Sequence, residues 1–218
     1  MKKLILLSVF GTLAIFSCKK KANDPSTLVT PSFPTITLTG SQFYSIQVGG
    51  TLPSISATAY DSFYNETDNV LIDQSTLDNT TPGLYQVSLS ATNKYGFIGY
   101  NAVYIGVTSA SASLNLAGSY IRLATPGRVA HVTKLGTGLF MTDNVGGVDI
   151  TDPTTGAAIP AVFVVTSDST IDFGSQMTAA GTLTASQQGL TLVPGDTTLS
   201  YALALTGFGT QLRTFVKQ

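Results

Sequence analysis

The chain has 218 residues, of which only 11% are charged, against a usual share near 25%. It carries no tryptophan, a single glutamate and abundant Gly, Ser and Thr, a composition poor for helices and well suited to strands and turns. From Pro25 onward eleven acids stand against six bases (Lys94, Arg122, Arg128, Lys134, Arg213 and Lys217), a net charge of −5 that excludes the basic face nucleic-acid binding needs.

Lys2 and Lys3 precede an almost wholly apolar run over residues 4–16. The run fits the core of a signal peptide and is shorter than the roughly 20 apolar residues of a membrane-spanning helix. It ends in Ala14-Ile15-Phe16-Ser17, then Cys18, the one cysteine of the chain, then Lys19, Lys20 and Lys21. These residues resemble the lipobox of bacterial lipoproteins. Ser17 takes the small position before the cut, and Ile15 and Phe16 depart from the commonest residues in a way similar to Bacteroidetes lipoproteins. The resemblance implies that residues 1–17 are a signal peptide, that Cys18 is lipidated on sulfur and then N-acylated (palmitate), and that the mature protein is held at the outer membrane. The alternative, a buried thiol in an ordinary secretory signal, needs a small-x-small cleavage site, and none lies nearby. Stable anchoring takes two or more acyl chains, which a triacylated cysteine supplies. Surface-exported Bacteroidetes lipoproteins resemble one another in acidic residues just after the cysteine; the lysines here favour the periplasmic leaflet instead. With one cysteine no intramolecular disulfide forms, and the fold rests on its core.

Residues 18–34 comprise the lipidated cysteine and a polar stretch with Pro25, Pro31 and Pro34, which reads as an extended tether. Over residues 35–108 strands are expected at 35–40, 43–48, 55–61, 69–74, 83–93 and 101–108. In GLYQVSLSATN, Tyr85, Val87, Leu89 and Ala91 alternate with polar residues, the signature of a half-buried antiparallel strand. NKYGFIGY supplies Gly96 and Gly99 for a hairpin connection. The Ala59-Tyr60-Asp61 and Pro82-Gly83-Leu84-Tyr85-Gln86-Val87 stretches, with the closing VYIGVT, resemble the bacterial Ig-like repeat of cell-surface proteins and crystal toxins. Asn93 stands where that repeat ends its strand with Asp, and Phe97 where it has Asn. The resemblance implies an Ig-like sandwich acting as spacer or adhesive module. Tyr85, opening a core strand just after a glycine turn, has the placement of a tyrosine corner.

TSASASLN reads as a linker over residues 109–115, and residues 116–218 as a second module. Strands there are expected at 118–124, 128–135, 138–143, 161–168, 170–175, 181–186, 190–195, 198–207 and 212–217, each bounded by Gly, Pro, Asp or Asn. TKLGTGLFMTDNVGG and SDSTIDFGSQ resemble C-terminal modules of Bacteroidetes lipoproteins with no assigned function. The expected fold class is all-β: an N-terminal Ig-like β-sandwich followed by a second β-sandwich or a small β-barrel.

Candidate chemistry is sparse. His131 is the one histidine and no Gly-x-Ser-x-Gly elbow is present, which argues against a hydrolase. A glycosidase needs paired carboxylates, but Asp143, Asp149, Asp152, Asp168 and Asp172 all sit in turn-like contexts. No cofactor is indicated, and zinc lacks ligands. Asp61, Glu66, Asp68 and Asp73 cluster and form a weak calcium candidate; the bland reading is a solvated acidic loop. Tyr95, Phe97 and Tyr100 crowd one loop, and Phe63 and Tyr64 another. Their rings stack on a ligand or cap the core. Asp168-Ser169-Thr170 and Asp196-Thr197-Thr198 are similar to an O-glycosylation signal of Bacteroidetes envelope proteins, with Ser169 and Thr197 as acceptors. The expectation is a non-enzymatic envelope lipoprotein that binds a glycan or an envelope partner. The rivals are a structural or assembly component with no small-molecule ligand, and a degenerate hydrolase.

Overall fold

The structure, a computed structural model, describes residues 29–152, 154, 156–193 and 195–218. The signal segment, Cys18 and most of the tether lie outside the described residues. The chain divides into two compact units, Met1–Pro31 and Ser32–Gln218. Only residues 29–31 of the first are described, and every strand belongs to the second. The fold is all-β, with sixteen strands and no α-helix among the described residues.

Seven strands form a sandwich. β1 (Thr35–Leu38), β3 (Ala57–Asp61) and β4 (Glu66–Asp68) make one antiparallel sheet. β2 (Phe43–Gln47), β7 (Ile98–Thr108), β6 (Gly83–Thr92) and β5 (Val70–Asp73) make the other, with β2 running parallel to β7. The expected alternation fills the space between them: Val87, Leu89 and Ala91 of β6 meet Val103 and Ile105 of β7 and Ile36 and Ala59 of the facing sheet. The Tyr85 hydroxyl donates to Thr81 O at 2.9 Å, the bond its placement after the glycine turn implied.

Nine strands make the second group. They are β8 (Gly118–Arg122), β9 (Val129–Gly136), β10 (Leu139–Thr142), β11 (Ala161–Ser167), β12 (Thr170–Asp172), β13 (Gln176–Thr178), β14 (Gly181–Val193), β15 (Asp196–Ala204) and β16 (Leu212–Lys217). They form one antiparallel sheet in the order β12-β11-β10-β9-β8-β16-β15-β14-β13, which curls into a half-barrel. The rings of Phe140, Phe163, Phe173, Tyr201 and Phe215 follow one another through its interior, with successive centroids 4.7–5.7 Å apart. Buried hydroxyls are satisfied: Tyr120 donates to Leu116 O at 2.8 Å and Tyr201 to Val145 O at 3.0 Å.

The two edges of this sheet are tied by glutamine side chains. Gln176 on β13 accepts from Val162 N at 2.9 Å and donates to Val162 O at 2.8 Å and to Phe173 O at 2.7 Å. Its amide therefore continues the β11 ladder where β12 stops at Asp172. Gln188 accepts from Phe173 N at 2.7 Å, and Leu190 N donates to Ser169 O at 2.8 Å.

Sandwich and half-barrel share a third core of Leu84, Tyr104, Leu139, Val162 and Val164. This explains AVFVV in β11, which is apolar at every position. Phe163 and Val165 face the barrel interior while Val162 and Val164 face the sandwich, and a strand buried on both faces loses its alternation. Gly106 on β7 permits the approach, since a Cβ there would stand 2.8 Å from Leu139 Cδ1 and 3.0 Å from Val164 Cγ2. Leu84 N donates to Asp172 Oδ2 at 2.8 Å across the junction. The segment 109–115 lies along the barrel: Ser109 Oγ donates to Thr166 O at 2.8 Å, Lys134 Nζ donates to Leu114 O at 2.8 Å, and Ala110 is buried in the barrel core. The two strand groups expected on either side of it thus lie within one compact unit.

Candidate functional site

The loops after β3 and β6 meet at one end of the sandwich, around Asp61. Its Oδ1 accepts from Ser32 Oγ at 2.7 Å, Phe63 N at 3.0 Å and Tyr64 N at 3.2 Å, and its Oδ2 accepts from Asn93 Nδ2 at 2.8 Å. Asn93 Oδ1 in turn accepts from Tyr95 N and Phe97 N, both at 3.0 Å. Burial by itself raises the Asp61 pKa, but the bonds from Asn93, Ser32, Tyr64 and Phe63 outweigh it and hold the carboxyl below its ordinary value. Asn at position 93, rather than the acid of the resembled repeat, supplies one of those donors.

The other acids of the cluster are spoken for differently. Glu66 Oε2 pairs with Lys94 Nζ at 3.0 Å. Asp73 accepts from Ser75 N at 2.9 Å, a turn bond that lowers its pKa. The Asp68 pKa is raised by burial, with the charges of Glu66 and Asp61 adding to the effect. Among the described residues no three His, Cys, Asp or Glu side chains stand where they could hold a metal ion.

Four of the five candidate aromatics lie at this end. The Tyr64 and Tyr95 rings are 4.4 Å apart, Phe63 meets Tyr64 edge-on at 4.9 Å, and Phe97 packs edge-on against Phe33 at 5.6 Å. Lys94 Nζ lies 5.2 Å from the centroids of both Tyr64 and Tyr95. The cluster is self-packed, with one ammonium over two of its rings.

Tyr100 is separate. The connection between β6 and β7 is shorter than NKYGFIGY suggests: Thr92 already pairs with Ile98, so Tyr100 is a strand residue opposite Ser90. It stands on the outer face of its sheet, 74% exposed, at a groove of about 490 Å³ between sandwich and half-barrel. Gln42, Gln86 and Ser88 line the sandwich side, and Met177 of β13 lines the barrel side. Met177 N donates to Gln86 Oε1 at 3.2 Å, and Gln42 Nε2 to Ala102 O at 3.3 Å. Asn101 is turned inward, donating to Ile36 O at 2.9 Å. An adjoining cavity of about 480 Å³ shares Gln86, Ser88 and Met177 and adds Thr76, Ser175 and Thr182. Neither lining contains Asp, Glu, His, Lys or Arg. The spacing of amides and hydroxyls around one open ring comes from the period-2 register of β6 against β7, which sets Gln86 opposite Tyr104, Ser88 opposite Ala102 and Ser90 opposite Tyr100. Sequence reading singled out Tyr100 but missed the glutamines, because their partner surface comes from Met177, 91 residues beyond Gln86 in the chain.

The remaining candidates are dispersed. His131 Nδ1 lies 2.9 Å from Asp143 Oδ2, with both side chains more than half exposed on the outside of the barrel. Ser169 is exposed in the turn between β11 and β12, whereas Thr197 is half-buried within β15, paired with Leu192, and not between strands as expected.

No protein-family model matches the chain, and no curated protein matches it significantly. Among solved structures the chain is similar to the lipoprotein BT2262 from Bacteroides thetaiotaomicron, at 20% identity over 85% of this chain and 100% of that one, with a TM-score of 0.39.

Proposed function

We propose that the protein is a non-enzymatic, outer-membrane lipoprotein of Bacteroidetes type, in which an Ig-like sandwich and a half-barrel together present a groove for a neutral glycan. The envelope assignment is supported by the signal run and lipobox-like residues before Cys18. Cys18→Ser should move the protein from the membrane to the soluble fraction or leave an uncleaved precursor. Normal processing with membrane retention would refute the anchor.

The observation that carries the binding assignment is Tyr100, an open ring flanked by Gln42, Gln86 and Ser88 in a groove free of charged side chains. A sugar offers an apolar ring face and many neutral hydroxyls. Tyr100 supplies the stacking surface, and each glutamine amide carries more hydrogen-bonding positions than its internal bonds use. A charged ligand finds no counter-charge here, and acid–base chemistry finds no titrating carboxylate or imidazole, which supports binding without turnover.

Calorimetric titration of the detergent-solubilised full chain with neutral cello-, malto-, manno- and arabino-oligosaccharides tests this. At least one series should bind saturably, and Tyr100→Ala should weaken it roughly tenfold, as loss of about 1.4 kcal/mol of ring contact implies. Unchanged affinity in Tyr100→Ala, or no saturable binding by any series, would sink the reading and favour a structural role in the envelope.

A further inference from the structure

All three arginines of the chain, Arg122, Arg128 and Arg213, line one cleft of about 520 Å³ at the mouth of the half-barrel, which shares no lining residue with the neutral groove. Arg122 ends β8 and Arg213 is the second residue of β16. The β8–β9 turn brings Arg128 back alongside, with Arg122 N donating to Arg128 O at 3.0 Å. Phe208, Ile159, Val148 and Ala180 form apolar walls.

The guanidiniums are held in place by carbonyls. Asn144, 1% exposed, locks the turn that follows β10: its Nδ2 donates to Val129 O and Val148 O, both at 2.9 Å, and its Oδ1 accepts from Val148 N at 3.0 Å. That turn presents Gly146 O to both arginines, to Arg213 Nε at 3.2 Å and to Arg122 Nη1 at 3.4 Å. Arg213 is 4% exposed and also donates to the carbonyls of Phe208, Gly209 and Gln211. Arg122 is less well served. Its Nη1 reaches Gly146 O and Gly147 O at 3.4 Å each, and its Nε is buried without a partner. Neither Arg122 nor Arg213 has a carboxylate within ion-pair distance among the described residues. Burial, then repulsion from Arg128 on Arg122 and from Arg122 on Arg213, lowers both pKa values. Asp149 and Asp152 act electrostatically on Arg128 and accept bonds from Thr151 and Thr154.

A chain with a net negative charge has thus gathered all its guanidiniums around one walled space, and two of them have no counter-ion among the described residues. Placing a cation in such a site is costly unless an anion shares it. A guanidinium fork matches carboxylate, phosphate and sulfate oxygens.

We propose that this cleft is a second binding site, for a small organic oxyanion, a carboxylate or phosphate, whose charged group meets Arg122 and Arg128 and whose body lies against Phe208, Ile159 and Ala180. Arg213 is the positioning residue: its guanidinium is spent on backbone carbonyls and fixes the Phe208 loop and the Gly146 turn that shape the cleft. The volume is within the range of sites that enclose a small ligand, roughly 300–1,000 Å³. This site is independent of the groove at Tyr100.

Calorimetric titration of the full chain in detergent at fixed ionic strength, with glucuronate, glucose and inorganic phosphate as probes, tests the proposal. Glucuronate or phosphate should bind saturably, the one identifying a carboxylate site and the other a phosphate site, and glucose, the uncharged counterpart, should not bind in the cleft. Arg122→Gln should weaken the anion at least about tenfold, the loss of one charge-assisted hydrogen bond. Arg128→Gln, which alters a side chain at the cleft rim, should weaken it several-fold, and it serves if Arg122→Gln does not fold. Tyr100→Ala should leave anion binding unchanged, which separates this site from the groove. Absence of saturable binding by both anions, or equal affinity in wild type and both arginine variants, would overturn it.

Discussion

Gln176→Ala should destabilise the protein by roughly 3–5 kcal/mol, because three buried hydrogen bonds go and their backbone partners are stranded at about 1–3 kcal/mol each. The side chain is 3% exposed and serves Val162 N, Val162 O and Phe173 O. Alanine leaves two carbonyls and an amide of β11 and its neighbour facing apolar core, between Phe163 and the shared core at Val162. The same loss parts the seam of the half-barrel, so β13 and Met177 should loosen with it. The urea midpoint, at constant m-value, is the measurement. A change below about 0.5 kcal/mol, the usual effect of a surface substitution, would show that the seam is closed by something else. Gln176→Glu separates hydrogen bonding from size. At neutral pH a carboxylate would face Val162 O with no proton to give. Its neutral acid can donate there and accept from Val162 N, so the folded state raises its pKa above the unfolded value near 4.3. The penalty is therefore present above the folded pKa and is relieved as pH falls through it. A neutral acid has one proton to give and still strands Phe173 O, so Gln176→Glu should regain part of the lost stability as pH falls toward about 4.3, while Gln176→Ala should regain none.

How much of this was legible in the sequence depended on how local the cause was. β6 was readable because one face of it is buried and the other open, so Val87, Leu89 and Ala91 recur at period 2. The Tyr85 bond to Thr81 O spans four residues and could be anticipated from the turn before it. β14 was read as two strands, at 181–186 and 190–195, because the run breaks at Gln187-Gln188-Gly189. In the structure the strand is continuous, and the break is a bulge where the register slips between Ser186 and Gly189 and Gln187 takes φ 53°. β13, Gln176–Thr178, left no hydrophobic signature because it is held at the sheet edge by an amide.

The aromatic residues show the same division. Phe63, Tyr64, Tyr95 and Phe97 were grouped correctly by loop, since Asp61 and Asn93 cap the two turns that carry them. Tyr100 was grouped with them only because β7 was expected to begin at Asn101; it begins at Ile98, and a strand residue points out from the sheet rather than along its end. The arginine cleft was not legible at all. The β8–β9 turn pairs Arg122 with Arg128 locally, but Arg213 joins them only because β16 inserts between β8 and β15, and nothing within a window of the chain records that. Composition did hold one clue: a chain with so few charges retains just three arginines, and no acid follows any of them at a pairing distance along a strand.

Gly174→Ala should cost roughly 2–5 kcal/mol, the sum of about 1–2 for a left-handed non-glycine residue and about 1–3 for forced overpacking. Gly174 has φ 55°, a conformation that penalises any Cβ, and a Cβ there would overlap Leu84 O of the sandwich. Neither side can yield cheaply. Gly174 N is held by Asp172 Oδ1 at 2.9 Å, and the other oxygen of the same carboxylate holds Leu84 N at 2.8 Å. The added methyl therefore pushes the connection from β12 to β13 away from β6 at the point where sandwich and half-barrel share Leu84 and Val162. The effect should exceed that of a glycine-to-alanine change in open space such as Gly156, which also has positive φ but has nothing within 4 Å of its Cβ position; because φ 99° at Gly156 strains an alanine more than φ 55° at Gly174 does, any excess at Gly174 reports the clash. The groove is the functional readout. Gln86 stands on β6 and Met177 on β13, joined by one hydrogen bond of 3.2 Å, so parting these strands should weaken oligosaccharide binding at Tyr100. Equal stability of Gly174→Ala and Gly156→Ala in urea denaturation would show that the junction is soft, and the groove would then have to be described as two surfaces rather than one.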